Sequence, residues 1–256
     1  MTSSDAAKAH HDQLFGERDS TLSETDPEFI DYFDNFAFDE VLADAADLDD
    51  TVDLRTRVLV QLAAVLAAGG LAEFRVLAAA GLANAGVSPV ELKELVYQAV
   101  PYVGLARVFD YLHAANDVLG PAGVRLPLPG QATSTPGTRQ ERGKQVQGRI
   151  VGAGRVEQMH ADAPQDCKHF QRYLTGNCFG DTVARDGLEL ATRELLTFAM
   201  LAALGGADAQ LRGHVNGNLN VGNGRNRLLA VLTLLVPFIG YPRTLNALAA
   251  VNDLTN

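Results

Sequence analysis

The sequence predicts an all-α chain built from two copies of one helical unit. Three observations predict it. Leu54 to Asp117 recurs without a gap as Leu190 to Asp253, at an offset of 136 residues, and self-similarity at a fixed offset marks a repeated structural unit. Ala, Leu and Val dominate an apolar fraction of 47%, aromatics make up 7% and Trp is absent, which suits packed helices better than β-branched strands. Apolar residues also recur at helical spacing, and no convincing strand stands out.

The elements follow in order. Residues 1–25 are polar and read as a loosely held arm with one helix around Ala6 to Phe15. Pro27 to Leu42 places Phe29, Ile30, Phe33, Phe36 and Ala37 on one helical stripe. Leu54 to Ala68 is a helix with Asp53 as N-cap and Gly69-Gly70 as its stop. Leu71 to Ala85 follows and ends at Gly86, so the pair forms an antiparallel hairpin. Ser88-Pro89-Val90-Glu91 combines a capping box with proline at the first helical position. Pro101 is expected to break or kink that helix before a further one from Gly104 to Leu119. The division expected is an arm (1–25), a first helical domain (26–119), a Pro/Gly/Ser/Thr-rich linker (120–137) and a second helical domain (138–256).

The formal net charge of −10 is unevenly spread. Residues 1–53 hold 16 acidic residues against Lys8 and Arg18, so the remainder is net basic by four. That acid reads as solvated surface, and no Lys/Arg cluster tracks a helix face, which argues against nucleic acid as a partner. No apolar leader segment opens the sequence, and the apolar run Leu228 to Gly240 is too short to span a bilayer. Cys167 and Cys178 form neither a CxxC pair nor a zinc-ligand set. The expectation is a cytoplasmic protein with free thiols and no membrane partner.

The two copies carry most information where they differ. Glu194, Gln210, His214 and Asn218 align with Val58, Phe74, Ala78 and Leu82. Residues four apart share a helix face, so Gln210, His214 and Asn218 form one polar stripe. Pairing about Gly205-Gly206 puts Glu194 level with Asn218, with His214 roughly 6 Å along the axis. Burying such groups costs several kcal/mol unless they are paired, and the first copy does without them. A polar pocket in the second copy and a filled one in the first is the simplest reading. The other histidines are weaker candidates. His10-His11 lies in the arm, His113 lies on a surface helix, and His160 and His169 near Cys167 lack metal-ligand spacing. Arg57 and Arg193 read as structural, Pro101-Tyr102 and Pro237-Phe238 as helix junctions, with Tyr102 lining a pocket as the alternative, and Glu94 as exposed.

These residues resemble a family. Arg193-Glu194-Leu195-Leu196, Leu211 to Asn216 with His214, and Gly222 look like the carboxymuconolactone decarboxylase family. Cys178-Phe179-Gly180-Asp181 and Arg185-Asp186-Gly187-Leu188 are similar to its lead-in, and Pro237 to Pro242 to its Pro-aromatic-x-Gly-x-Pro segment. Arg55-Thr56-Arg57, Gly86 to Glu94 and Pro101 to Gly104 carry the likeness in the first half, so it covers residues 26 to 253. The resemblance implies duplicated AhpD-like helical domains and a homotrimer of pseudo-hexameric layout.

It also implies one of two activities. The disulfide-reductase type uses a CxxC pair whose positions here are Ala207 and Gln210, and Leu71 and Phe74 in the first copy. Without a thiolate there that chemistry is excluded. What remains is decarboxylation or isomerisation of a small lactone or enol acid, with no metal or organic cofactor. His214 would be the general acid and Glu194 would orient it. Gln210 and Asn218 would bind the lactone carbonyl or its oxyanion. Cys178 would line the substrate site or stand as a lone reactive thiol. The alternatives are a ligand-binding or scaffold ring without chemistry, and a biosynthetic enzyme acting on a larger substrate.

Overall fold

The computed structural model describes residues 3–16 and 20–255. Residues 1–2 and 17–19 of the expected arm, with Arg18, and Asn256 lie outside the described residues. The first half runs α1 (Asp5–Phe15), α2 (Pro27–Asn35), α3 (Val41–Leu48), α4 (Leu54–Ala68), α5 (Leu71–Asn84), α6 (Pro89–Val103) and α7 (Leu105–Leu119). An irregular segment leads to α8 (Arg139–Gln147), α9 (Ala153–Asp162), α10 (Lys168–Tyr173), α11 (Leu190–Leu204), α12 (Asp208–Asn220) and α13 (Arg225–Thr255). Wider π-helical turns join the lead-in helices at Phe36–Glu40, Gly148–Gly152 and Leu174–Val183. Among the described residues there is no strand, and no helix is long and apolar enough to cross a membrane.

Local chemistry sets the boundaries. Asp53 Oδ1 accepts from the Thr56 amide at 2.7 Å and caps α4, while Gly69 ends it at φ 92°. The Ser88/Glu91 capping box is closed in both directions, at 3.2 and 2.8 Å. Pro101 does not break α6 as expected. It stays in the last turn, and the chain bends at Gly104, whose φ of 88° suits glycine. The same bend recurs inside α13, at Gly240 with φ 74°. Lost amide bonding at a proline so near a helix end is cheap, whereas a positive φ requires glycine.

α4 and α11 form the centre. Thr56 to Ala67 and Arg193 to Ala203 are buried on every side, the mark of a helix surrounded by others. They pack on each other, with α6 laid on α11 and α13 on α4. The copies are therefore interleaved. The lead-ins also cross: Val41 and Ala45 of α3 pack on Ala230 and Leu234 of α13, and the turn Leu174–Val183 packs on α6 and α8.

The N-terminal helix is not a loose arm. Ala7 and Leu14 are buried, Ser4 Oγ donates to Asp39 at 2.6 Å, and His10 Nδ1 donates to the Phe38 carbonyl at 2.7 Å. Asn84 Nδ2 donates to the Leu14 carbonyl at 2.7 Å and ties α1 to α5. A polar sequence hid this docking because a few apolar contacts and several hydrogen bonds carry it.

Arg57 and Arg193 occupy equivalent places with opposite fates. Arg193 donates to Glu94 at 3.0 Å and to Gln98 at 2.9 Å, both from α6. Arg57 is equally enclosed, but Ala230 and Leu234 of α13 stand where Glu94 and Gln98 would be. Its Nε and Nη2 make no hydrogen bond, and burial lowers its pKa to about 10. The expected structural role with a backbone or carboxylate partner holds for Arg193 only.

Candidate active site

The hairpin of α11 and α12 brings Glu194 and His214 together. His214 Nδ1 lies 2.8 Å from Glu194 Oε2. The Glu194 side chain is 0% exposed and that of His214 is 15% exposed. An ionised carboxylate only accepts, so Nδ1 donates and the imidazole is held by that nitrogen. Nε2 makes no hydrogen bond within the described chain and remains free for proton transfer. The partly open imidazole and the sealed carboxylate form an oriented acid/base pair.

Backbone proximity makes this pairing possible. A Cβ on Gly217 would lie 2.6 Å from Glu194 Oε2 and 2.8 Å from Ile150 Cγ2. Only glycine leaves room there for the carboxylate. The equivalent Gly81 faces Val58, whose Cγ1 would lie 2.9 Å from an added Cβ. The same close helix approach thus seats valine in one copy and glutamate in the other.

Asn218 is buried beneath the pair, and its amide is fully engaged. Its Nδ2 donates to the Glu194 carbonyl at 3.1 Å and to the His214 carbonyl at 2.7 Å. Its Oδ1 accepts from Asn223 Nδ2, which also donates to the Ala191 carbonyl. These bonds lock α12 onto α11, so Asn218 positions the hairpin in this structure and shows no atom free for the expected oxyanion contact. Gln210 is exposed four residues before His214 and is not brought to Glu194.

Cys178 sits beside the site. Burial pushes its thiol up to about 12, with Glu194 adding to the rise. A thiol so raised disfavours the thiolate and with it the reactive-thiol alternative, and leaves Cys178 as a buried neighbour of Tyr102 and Glu194. Cys167 is exposed.

The first copy completes the site through α6. The Tyr102 ring meets the His214 ring edge to face, with centroids 5.5 Å apart. Burial lifts its phenol well above the ordinary range, reinforced by Cys178 and Glu194 nearby. Its hydroxyl faces Thr197 and Cys178 but makes no well-formed hydrogen bond. Glu194 Oε1 is also buried without a partner. Both polar atoms are buried beside the imidazole without a well-formed partner.

Behind them runs a supporting network. Gln98 Nε2 donates to Thr197 Oγ1 at 2.9 Å and to the Arg193 carbonyl at 2.8 Å. Glu94 is 1% exposed, against the expectation of an exposed residue. Arg185 and Arg193 hold it at 2.9 and 3.0 Å, and that double pairing is what permits its burial. Asn223, Gln98 and Thr197 escaped the sequence reading. Asn223 had a signal, since it aligns with Val87 and repeats the apolar-to-polar change.

Gly217→Ala is expected to lower stability by about 1–3 kcal/mol, because the new methyl displaces the Glu194 carboxylate and Ile150. Urea denaturation measures this, and an unchanged midpoint would contradict the close approach.

The model of the Carboxymuconolactone decarboxylase family matches residues 27–117 and 168–253. Among curated proteins no sequence matches the chain. The two family matches fall on the two copies, and the second contains Glu194, His214 and Asn218. Together they span most of an all-helical, duplicated fold, so the chain belongs to the carboxymuconolactone decarboxylase family.

Proposed function

We propose that the protein is a cofactor-independent lyase or isomerase acting on a small lactone or enol acid. The observation that carries this reading is the bond between His214 Nδ1 and the sealed carboxylate of Glu194. In the decarboxylation, the C–C bond to the carboxylate breaks and CO2 leaves. The electron pair passes into the conjugated carbonyl and gives a dienolate. Protonated His214 donates its Nε2 proton to carbon, and solvent restores it. Glu194 holds the imidazolium charge and keeps Nε2 aimed outward. The Tyr102 hydroxyl, kept neutral by burial, donates to the developing oxyanion.

The assembly belongs to the same proposal. Leu105 and Phe109 on α7 are about half exposed, and so are Tyr241 and Leu245 on α13. These are the same two positions at the 136-residue offset. Matching exposed apolar patches on both copies support a closed ring of three chains, in which one copy's patch meets the other copy's patch on the next chain.

Two outcomes test these statements. His214→Ala should cut turnover of a carboxylated unsaturated lactone at least about 10²-fold, read as CO2 release. Unchanged turnover would contradict the assignment, and a bound but unaltered lactone in the unmodified protein would favour a ligand-binding ring. Light scattering should give three times the chain mass of 27.3 kDa, and a monomer would contradict the ring.

A further inference from the structure

A concavity of about 420 Å³ lies between α6, the end of α7 and the irregular segment 126–131. One wall is polar, formed by Lys93, Glu94, Tyr97, Asn116 and Arg185. The other is apolar, formed by Val90 and the stretch Leu126 to Pro129. It contains neither Glu194, His214 nor Tyr102, and shares only Glu94 and Arg185 with the network behind the His214 site.

Its charges do not cancel. Glu94 is the one carboxylate lining it, and Arg185 and Arg193 already answer that charge. Lys93 is 8% exposed and has no carboxylate partner. Its ammonium bonds Asn116 Oδ1 at 2.8 Å and lies over the Tyr97 ring at 5.3 Å. An ammonium has three donors, so two remain unused. Arg185 lies over the same ring at 5.4 Å, and its Nη1 makes no hydrogen bond. Burial alone lowers the Lys93 pKa, which is the cost of a cation enclosed without an anion.

The other copy shows that the fold does not require this arrangement. Lys93 and Tyr97 align with Leu229 and Thr233, and Glu94 with Ala230. An enclosed cation with unused donors, facing an apolar wall, has the make-up of a ligand site and not of a packing contact.

We propose that this cavity binds a small organic carboxylate, with its head between Lys93 Nζ and Arg185 and its apolar body along Leu126 to Pro129. The apolar wall selects an organic anion over inorganic phosphate.

Calorimetric titration of the full chain with sodium benzoate tests it, with sodium phosphate as the second arm. Saturable benzoate binding at one site per chain is expected, weakened at least about tenfold by Lys93→Met, which keeps the side-chain stem and removes the charge-assisted bond. Leu126→Glu, at an exposed position on the rim, should weaken binding without touching the core. His214→Ala should leave it unchanged. No saturable benzoate binding would overturn the proposal, as would equal affinity in both cavity variants or loss of binding in His214→Ala. Phosphate binding as tightly as benzoate would overturn the organic-anion assignment.

Discussion

A carboxylate sealed at the centre of a helical bundle constrains everything around it. Glu194 has no exposure, and isolated burial of such a charge is prohibitive. His214 answers one oxygen, and Gly217 gives that oxygen room. The hairpin that carries both is locked by Asn218 and Asn223, which join backbone carbonyls of α11 and α12. Removing any of these leaves a buried polar group unanswered, with a cost of about 1–3 kcal/mol for a neutral group and more for the charge. The geometry of the imidazole therefore follows from the burial of the carboxylate.

The duplication lets one half support the other. α6 of the first copy lies on α11 of the second, and there Glu94, Gln98 and Tyr102 meet Arg193, Thr197 and Glu194. The equivalent surface of α13 presents Ala230, Leu234 and Phe238 to α4. Val58 takes the place of the glutamate there, and Arg57 is left as a cation without a partner. A single-copy chain in a symmetric assembly would have to use one α6 surface for both purposes. Here the two surfaces differ, and the polar one serves the second copy's site.

Much of the fold was legible because repetition and capping are local. The Gly69-Gly70 hairpin, the Ser88 capping box and the polar stripe on α12 all follow from short spacings. Counting turns away from Gly205-Gly206 placed Glu194 and His214 about one turn apart and left their direct contact open. What stayed hidden depends on contacts between copies. Polar residues were sought where the second copy differs from the first, so of the residues polar in the first copy and apolar in the second, Glu94 passed as surface and Gln98 went unremarked. Tyr102 read first as a helix junction and only second as a pocket wall, because nothing within α6 reveals that α11 lies against it. Gln210 shared the helical face of His214 but ends in solvent. Docking of α1 and bending at Gly104 instead of Pro101 likewise depend on tertiary contacts and backbone angles that composition does not encode.

The central claim is that a buried carboxylate fixes the proton of His214 on Nδ1 and leaves Nε2 free for chemistry. Nitrogen-15 NMR of the His214 imidazole, in the unmodified protein and in Glu194→Ala, tests it most directly. The account predicts the Nδ1–H tautomer when the imidazole is neutral, lost when the carboxylate is removed. A neutral imidazole with its proton on Nε2, unaffected by Glu194→Ala, would contradict it.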